Sequence, residues 1–504
     1  MYQIIPEPKL INITSNKKAN FKSIKLANCP LNDIAKNDFL SFYNFDISEN
    51  ANIFFITDES IKPEGYKIVI KDGIINIYYN KENGAFYALQ TLKQLLHQGK
   101  MELEELEIVD YPSYPYRGFM LDVGRYFYDI KDVKTIIDRM ALHKLNMLHF
   151  HLTEDQGWRI EIKKYPILTE KGSIRSHTNF NHTPHGGFYT QEQIKEIVNY
   201  CHSKFIKVMP EFDIPGHSRA AIACFPELAC FPRELEVATH WGVKKDVLCA
   251  GKKSTYRFVF DVIDELCELF PDKIFHIGGD EVPKHRWCLC PECQKVIKEN
   301  KLKDETQLQE FFMNKIYDHL KPKGFEVFMW NYDKLNPEIL YDDIGFTLCG
   351  GECNGRKCID TSSSAYYLDL PYGYISLEDT CNHKIPEGAI GAEVQMWTEY
   401  IPNMAKSDSM MYPRMGAMVE TCWSGTNNYE TFAKKLDTYY SYLDRFNINY
   451  SKGNKKINPK GLNKTMSIAL FERRQLDWEG LTILIDNKKV ERIAKKNKKS
   501  ANKR

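Results

Sequence analysis

The chain has 504 residues, of which 43% are hydrophobic and 27% charged, so it can bury a substantial core and is not a disordered chain. No run approaches about 18 consecutive apolar residues, so a membrane span is not expected. The formal charge is +1, but residues 488–504 carry nine Lys or Arg and one Glu, which leaves −7 for the remainder. A mildly acidic body disfavours a nucleic-acid partner.

The two ends of the sequence bear on export and on chain order. The first 30 residues contain lysines but no apolar core of about 7–15 residues followed by small residues, so no signal peptide is predicted. We therefore expect a cytoplasmic protein. The Lys- and Asn-rich residues 451–504 are predicted to be a C-terminal extension, whose basic tail is expected to be a solvated, disordered terminus.

Residues 1–110 are predicted to form a small α+β domain. Apolar or alternating segments at 52–56 and 73–79 are typical of strands. They precede a helical pattern from about Ala85 to Gln98, and Gly99 is a helix-stop signal. Residues 110–116 contain two prolines and are predicted to be an extended connector.

Residues 111–450 show strands alternating with helical patterns, which predicts an α/β fold of the (β/α)8 TIM-barrel type. A doubly wound open sheet is the alternative, but no Gly-rich phosphate loop follows any predicted strand. Helices are expected after Asp129, after the capping box Thr190-Gln-Glu-Gln193 and over 307–320. The predicted strands are Arg117–Val123, Met147–Leu152, Ile206–Phe212, Ile274–Gly278, Glu326–Trp330, Gly345–Leu348, Ala365–Leu368 and Ala392–Trp397.

The C-terminal ends of the strands are where such a barrel places its catalytic groups. Carboxylates and aromatic residues recur there, which suits a sugar, because carboxylates bind hydroxyls and indole rings stack on the apolar face of a pyranose. The predicted strand ends carry Asp122, His149, His151, Glu211, Asp213, Asp280, Glu281, Trp330, Tyr367, Asp369, Trp397 and Glu399.

The sharpest of these groups is Gly278-Gly279-Asp280-Glu281. Glycines at a strand end allow a ligand close to the backbone, and adjacent carboxylates repel, so one pKa should rise, as a general acid requires. A turn with a helix-capping acid pair is the alternative interpretation. Arg117 likewise fits a structural ion pair, and Trp330 and Trp397 fit either the core or a ligand floor.

The chain has fourteen cysteines, which we interpret as reduced thiols in a long chain without an export signal. The densest group is Cys288-Leu-Cys290-Pro-Glu-Cys293. A zinc site needs a fourth ligand and usually a second pair, and His276, His285 and Cys267 are only candidates. We therefore predict buried or surface thiols, no metal site and no cofactor.

Several long motifs resemble the family 20 glycoside hydrolases, the β-N-acetylhexosaminidases. The resemblance runs from about Arg117 to Ser424 in the family's order, and residues 52–98 are similar to the small domain that precedes its barrel. Together these segments cover about four fifths of the chain. The matching runs are Arg117-Gly-Phe-Met-Leu-Asp-Val-Gly-Arg125, His149-Phe-His-Leu-Thr-Glu-Asp-Gln-Gly-Trp-Arg159, Pro210-Glu-Phe-Asp-Ile-Pro-Gly-His217, Gly278-Gly-Asp-Glu281, Tyr367-Leu-Asp369 and Met396-Trp-Thr-Glu399.

The resemblance implies an exo-acting retaining enzyme that removes terminal β-linked GlcNAc or GalNAc. Glu281 is then the proton donor, and it later activates water. Asp280 orients the substrate's 2-acetamido group, whose carbonyl oxygen attacks C1, and Tyr367 donates a hydrogen bond to that oxygen. The remaining implied roles are hydroxyl binding by Arg117, Asp369 and Glu399, ring stacking by Trp397, an acetamide wall from Trp330, and tuning of Glu281 by Asp213 and His217.

The chain departs from the family pattern at two places. The family usually has a further tryptophan near the end of the sixth strand, and the corresponding residues 346–352 contain none. Either Trp423 or Tyr366 supplies that wall, or the wall is altered. Glu154 stands where an Asp is more usual, and little effect is expected.

Two rival functions remain at this stage. A metal-dependent barrel hydrolase would use His149 and His151, which face one side of a strand, with His217, His276 and Asp280. A non-catalytic sugar-binding protein would keep the fold without the acid. The expected partner is an oligosaccharide or glycoconjugate substrate, with neither nucleic acid nor membrane; the oligomeric state and the choice between GlcNAc and GalNAc stay open.

Overall fold

The computed structural model describes residues 2–43, 45–47, 49–179, 181–331 and 337–475. The basic tail at 488–504 lies outside the described residues, so its prediction is not tested. Among the described residues, no helix has both the length and the apolar character needed to cross a membrane.

The N-terminal part is a six-stranded mixed sheet with the strand order β1-β8-β6-β7-β5-β3. Its alternating burial, as in β6 and β7, places apolar residues on one face. The helix α2 is buried on almost every side. The elements are β1 (Leu10–Asn20), β2 (Ser23–Ile24), β3 (Leu26–Ala27), α1 (Asp33–Leu40), β4 (Asp46–Ile47), β5 (Ile53–Thr57), β6 (Tyr66–Lys71), β7 (Ile74–Tyr79), α2 (Glu82–Gln98) and β8 (Glu102–Asp110).

Strands and helices alternate from Tyr116 onward. Two short 3-10 helices, Pro226–Leu228 and Lys321–Lys323, interrupt the order. The elements are β9 (Tyr116–Asp122), α3 (Ile130–Leu142), β10 (Met147–His151), β11 (Thr153–Glu154), β12 (Gly157–Trp158), α4 (Ile167–Glu170), β13 (Ile174–Arg175), β14 (His185–Gly186), α5 (Gln191–Ser203), β15 (Lys207–Glu211), α6 (Arg219–Cys224), α7 (Lys253–Leu269), β16 (Ile274–His276), α8 (His285–Leu289), α9 (Pro291–Glu299), α10 (Glu305–Leu320), β17 (Glu326–Trp330), β18 (Gly345–Leu348), β19 (Cys358–Asp360), α11 (Leu377–Asn382), β20 (Ala389–Met396), α12 (Met404–Met411), α13 (Arg414–Ser424), α14 (Tyr429–Ala433), α15 (Leu436–Asp444), α16 (Asn454–Ile457) and α17 (Gly461–Gln475).

Eight of these strands close into a parallel barrel in the order β10-β15-β16-β17-β18-β19-β20-β9. The predicted (β/α)8 fold is therefore confirmed, and the open-sheet alternative is wrong. The helix signals read from the sequence also hold: the Asp129 side chain caps α3, and Thr190 and Gln193 form a reciprocal capping box at α5.

The seventh barrel strand is where the prediction was wrong. It is β19, Cys358–Asp360, and not Ala365–Leu368. The predicted segment is a turn, in which the amides of Ala365 and Tyr366 both donate to the carbonyl of Ser362. A three-residue strand gives a weaker pattern than the longer apolar run that follows it.

The inside of the barrel is layered. Strand residues alternate between inside and outside, so Tyr116, Met147, Met209, Phe328 and Ile359 form an apolar plug at the N-terminal end. Charged residues lie above this plug, and aromatic residues lie above them. The C-terminal end of the barrel therefore offers a polar, aromatic-lined opening.

Arg117 joins the two domains, which corrects its predicted role as a hydroxyl ligand. Its guanidinium pairs with Glu64 of the N-terminal domain at 2.9 Å and lies over the ring of Trp423. Arg117 stands at the start of β9, five residues before Asp122, so about 16 Å of strand separates it from the opening. The interpretation as a structural ion pair is the correct one.

Candidate active site

The floor of the opening is aromatic. Trp330 at the end of β17 and Trp397 just after β20 have ring centroids 5.5 Å apart. Trp330 is fixed by a hydrogen bond from Nε1 to Glu211 at 2.6 Å, while Nε1 of Trp397 has no hydrogen-bond partner among the described residues. Two differently oriented indoles at one place, 47° apart, provide two apolar surfaces for a ligand.

The Gly278-Gly279 pair bends the chain immediately after β16. Gly278 and Gly279 have φ values of +65° and +101°, which favour glycine. A Cβ atom at Gly278 would overlap with the Asp213 carboxylate, and the amide of Gly279 donates to Oδ1 of Asp213 at 3.2 Å. The bend then continues through Glu281, whose φ is +48°. Adjacent carboxylates that a regular strand would point apart are thereby turned to one side.

Asp280 and Glu281 both face the imidazole of His217. Nε2 of His217 lies 3.7 Å from Oδ2 of Asp280 and 3.6 Å from Oε2 of Glu281. Burial raises the pKa of Asp280 to about 6, with His217 opposing the increase and Glu281 adding to it. Glu281 remains the more open of the two, with 28% of its side chain exposed against 11% for Asp280.

His217 is itself held from the other side. Its Nδ1 lies 2.7 Å from Oε1 of Glu154, which also pairs with Nη2 of Arg125 at 2.6 Å. Despite burial, Arg125 and His217 lower the pKa of Glu154 to about 2. Despite burial, Glu154, Asp213 and Asp280 raise the pKa of His217 well above its usual range, which favours the charged imidazole between Glu154 and the acid pair. Glu154, which stands where the family more usually has the shorter Asp, thus contacts both Arg125 and His217 directly.

Asp213 lies behind the acid pair, where burial and the charge of Asp280 raise its pKa well above the usual range. It contacts the backbone of the bend through the amide of Gly279, and its own amide donates to Thr153. Asp213 is therefore placed to support the bend that carries Asp280 and Glu281.

Tyr367 reaches the opening from the turn after β19. An isolated bridge to Gln395 of β20 holds it there, and its hydroxyl lies 3.1 Å from Sγ of Cys349 at the end of β18. Both side chains pack against the two tryptophans of the floor. Burial, Cys349 and Asp280 raise the pKa of Tyr367 well above its usual range, so its hydroxyl keeps its proton.

Cys349 therefore occupies the wall at the sixth strand, where the sequence lacks a tryptophan. The two substitutes considered from the sequence lie elsewhere. Trp423 donates from Nε1 to Asp110 at the junction between the domains, and Tyr366 stacks edge-on against His383. The wall is thus altered to a small side chain.

A second carboxylate pair lies on the other side of Trp397. Burial and the charge of Glu399 raise the pKa of Asp369 well above its usual range, and Oδ1 of Asp369 has no hydrogen-bond partner in the part of the chain that the structure describes. Glu399 lies 3.3 Å from Nε of Arg125, whose guanidinium sits 4.9 Å from the Trp397 ring centroid. These groups form a polar rim beside the aromatic floor.

Arg125 is the site residue that the sequence interpretation missed. It lies three residues after Asp122, whose carboxylate at the end of β9 accepts from the Arg125 amide and from Nη1. The sequence motif that begins with Arg117 ends with Arg125. Because Arg125 follows the C-terminal end of β9, where the barrel places its catalytic groups, the sequence could have identified it. Arg117 lies at the other end of that strand.

The histidines of the rival metal hypothesis form a buried charged layer beneath the floor. Nδ1 of His149 bonds Glu393 at 2.9 Å, and Nδ1 of His151 bonds Glu211 at 2.5 Å. Despite burial, Glu393 and Glu211 raise the pKa of His149 to about 9. Because these imidazoles are hydrogen-bonded to carboxylates inside the barrel core, the arrangement favours ion pairs that support Trp330 and the floor.

A TIM barrel whose C-terminal end carries an acid pair, an aromatic floor and a polar rim defines a carbohydrate-active enzyme class. The description "Glycosyl hydrolase family 20, catalytic domain" matches residues 114–426, and "Glycosyl hydrolase family 20, domain 2" matches residues 1–111. The chain belongs to glycosyl hydrolase family 20.

Individual relatives agree with this assignment. A β-hexosaminidase of Porphyromonas gingivalis is 40% identical over 429 residues, which are 77% of this chain and 55% of that protein. A β-hexosaminidase of Akkermansia muciniphila is 32% identical, over 78% of this chain and 86% of that one. The crystal structure of a β-N-acetylhexosaminidase from Bacteroides fragilis superposes with a TM-score of 0.78 at 28% identity, covering 91% of this chain and 99% of that one. The chain thus spans about half the length of its Porphyromonas relative.

Proposed function

We propose that the protein is an exo-acting retaining β-N-acetylhexosaminidase that hydrolyses terminal, non-reducing β-linked GlcNAc or GalNAc with help from the substrate's 2-acetamido group. The observation that carries the proposal is the convergence of Asp280 and Glu281 on one imidazole beside Tyr367 and the indole floor. An oligosaccharide or glycoconjugate is the expected substrate, as the names of the relatives also suggest.

Glu281 is the proposed general acid. It is the more exposed member of the pair, and its strained backbone directs it into the opening, where it can protonate the glycosidic oxygen. After the leaving sugar departs, the same carboxylate takes a proton from a water molecule, whose oxygen bonds to C1 as the bond between C1 and the acetamide oxygen breaks. Nε2 of His217 lies 3.6 Å from Oε2 of Glu281 and holds this side of the carboxyl group.

Asp280 and Tyr367 are proposed to hold the acetamido group. An ionised Asp280 accepts a hydrogen bond from the acetamide N–H, which makes the carbonyl oxygen a better nucleophile towards C1. The Tyr367 hydroxyl, which keeps its proton, donates to that carbonyl oxygen. A protein nucleophile would instead stand about 5–5.5 Å from the acid, across the bond that is cleaved. Asp280, which lies beside Glu281 against the same His217 nitrogen, suits orientation better than attack.

The remaining roles follow from the rim and the floor. Trp397 would stack beneath the sugar ring and Trp330 would line the acetamide pocket. Asp369 and Glu399 would accept hydrogen bonds from the distal hydroxyls of the terminal sugar. Arg125 replaces Arg117 in this assignment, because it holds Glu399 and borders Trp397.

A set of aryl β-glycosides tests the proposal. The wild-type protein should hydrolyse the N-acetylglucosaminide or the N-acetylgalactosaminide and leave the β-glucoside, which lacks the acetamide, intact. Glu281→Gln should lower kcat about 10²–10⁴-fold for substrates with a poor leaving group. It should retain much more activity for a dinitrophenyl leaving group, which needs no proton.

A thiazoline inhibitor separates the mechanisms in the same assay, because it resembles the cyclised intermediate. Competitive inhibition far tighter than that by GlcNAc supports participation of the acetamide. Equal turnover of the β-glucoside would contradict it. Sugar binding without turnover would identify a binding protein.

A further inference from the structure

Four cysteines from three separate segments meet outside the candidate active site. Cys230 follows the 3-10 helix after α6, Cys249 precedes α7, and Cys290 and Cys293 lie at the start of α9. Their four sulfur atoms all lie within 4.8 Å of one another. All four residues are buried, with exposures of 8%, 0%, 1% and 0%.

The separations between these sulfurs are those of a tetrahedron around a metal ion. Sγ of Cys249 lies 3.7 Å from Sγ of Cys290 and 3.6 Å from that of Cys293, and Cys230 lies 3.8 Å from Cys293. Four thiolates at a Zn–S distance of about 2.3 Å have sulfurs about 3.8 Å apart. A disulfide would need about 2.05 Å.

The start of α9 provides a local environment for thiolates. Cys290 is the residue before the helix and Cys293 lies in its first turn, so both stand at the positive end of the helix dipole. The Cys-Pro-Glu-Cys spacing thus supplies two adjacent ligands from one turn.

The backbone around the four cysteines allows the segment of Cys249 to approach α8 and α9 closely. A Cβ atom on Gly251 would overlap with the backbone of Glu292, so glycine is needed for the Cys249 segment to approach α9. Nε1 of Trp287 donates to the carbonyl of Leu248 at 3.0 Å, which joins the same two segments. The cluster therefore sits at an ordered contact between the loop before α7 and the helices α8 and α9.

A single buried cysteine behaves as a small apolar side chain and needs no metal. Four sulfurs pointing to one centre are different, because apolar packing does not require them to converge. A tetrahedral set of four thiolates selects zinc or a single iron among biological metals. Zinc is favoured because a closed set of four cysteine ligands at this spacing is typical of structural zinc sites.

We propose that Cys230, Cys249, Cys290 and Cys293 bind one structural Zn²⁺ ion. The proposal differs from the interpretation of the sequence, which grouped Cys288 with Cys290 and Cys293 and predicted no metal site. Cys288 is exposed, while His276 and Cys267, considered as fourth ligands, lie in the barrel core and on α7.

The ion would join the segment that follows Asp213 and His217 in the chain to the helices that follow Glu281. The segment 229–250 also contacts the residue next to Glu154, since the amide of Ala238 donates to the carbonyl of Asp155. The helices α8 and α9 follow Glu281 directly in the chain. Zinc binding would therefore stabilise this side of the barrel, and its contribution does not depend on the proposed catalytic function.

Elemental analysis of the purified full-length chain is the direct test. Protein produced with zinc in the medium should contain one zinc per chain after gel filtration, and a mercurial reagent should release that zinc to a chromogenic chelator. Replacement by Co²⁺ should give the visible absorption of tetrahedral cobalt thiolate, which reports the ligand set independently of activity. Wild-type protein with no stoichiometric metal, with stoichiometric iron instead, or with disulfides among these four residues would overturn the proposal.

Cys249→Ser and Cys290→Ser test the ligands, with Cys288→Ser as the matched control on the adjacent, exposed position. Both ligand variants should lose the bound zinc and unfold at a lower temperature, while the control keeps one zinc and the wild-type Tm. A ligand variant that retains zinc as the wild type does would contradict the assignment. If a ligand variant does not fold, the metal content and cobalt spectrum of the wild-type protein still decide.

Discussion

The thiol of Cys349 lies 3.1 Å from the hydroxyl of Tyr367 and completes one wall of the opening above Trp330 and Trp397. Burial, together with the charges of Asp280 and Glu281, raises the pKa of this thiol to about 12. A thiol is much smaller than the indole usual in the family, so the proposed acetamide pocket has additional space on this side.

Cys349→Trp should therefore narrow the acceptance of N-acyl groups. Filling the space should lower kcat/KM for an N-propionyl glycoside relative to the N-acetyl glycoside about tenfold or more, as expected for one methylene in a tight pocket. Cys349→Ala is the control and should keep the wild-type ratio. An unchanged ratio in the tryptophan variant would mean that Cys349 does not border the acyl group.

The pH dependence of kcat/KM should report Asp280. Its pKa of about 6 means that the carboxylate predominates above that pH and the neutral acid below it. Because the proposed role needs the ionised form, activity should fall as the pH drops through about 6.

Asp280→Asn should remove this acidic limb and lower kcat about 10²–10⁴-fold. Asp213→Asn should keep the limb, since Asp213 supports the bend through the amide of Gly279 and takes no part in the proposed orientation of the acetamide. If kcat/KM of Asp280→Asn still falls as the pH drops through about 6, a group other than Asp280 causes the fall.

Arginine-to-lysine substitutions at positions 117 and 125 should have different effects. Arg125→Lys loses the planar fork that pairs with Glu154 and Glu399, so kcat/KM should fall about 10–100-fold in protein that remains folded. Arg117→Lys should leave kcat/KM near the wild-type value and lower the free energy of unfolding, because it weakens the buried pair with Glu64. Thermal denaturation and steady-state kinetics of both variants decide this, and a kinetic defect confined to Arg117→Lys would reverse the assignment.

Asp369→Asn should weaken recognition of one distal hydroxyl. The buried Oδ1 of Asp369 accepts no hydrogen bond within the described ranges, so a substrate hydroxyl is its natural donor. Losing one hydrogen bond costs about 0.5–1.5 kcal/mol, or roughly 2–10-fold in kcat/KM. With 4-deoxy and 6-deoxy substrates, the loss should disappear for the sugar that lacks the contacted hydroxyl. Equal losses on the parent and both deoxy substrates would mean that Asp369 has only a structural role.

Local patterns were enough for most of the fold. Strand and helix periodicity predicted the barrel, because its strands are largely buried on both faces and helices such as α3, α5 and α7 bury one apolar face. The pattern was insufficient at β19, where three residues form a barrel strand that is held by its neighbours on both sides. Tyr367 was consequently assigned to a strand, although it lies in a turn that a single bridge holds against β20.

The candidate active site was likewise predicted only in part from the sequence. Asp280 and Glu281 were predicted because two glycines and two acids at a strand end form a local signal. The raised pKa of Asp280 was not predictable, because it depends on burial and on the charges around the carboxyl group in the folded chain. Arg117 and Arg125 share one motif, and only the direction of β9 shows which of them faces the opening.

The sequence alone therefore determined the order of elements, the family resemblance and the acid pair, since these depend on residues that are adjacent in the chain. Tertiary structure decided the wall at Cys349, the junction role of Arg117 and the meeting of Cys230 and Cys249 with Cys290 and Cys293. Each of these rests on contacts between residues far apart in sequence. Such contacts depend on how separate loops pack together, which periodicity and spacing do not encode.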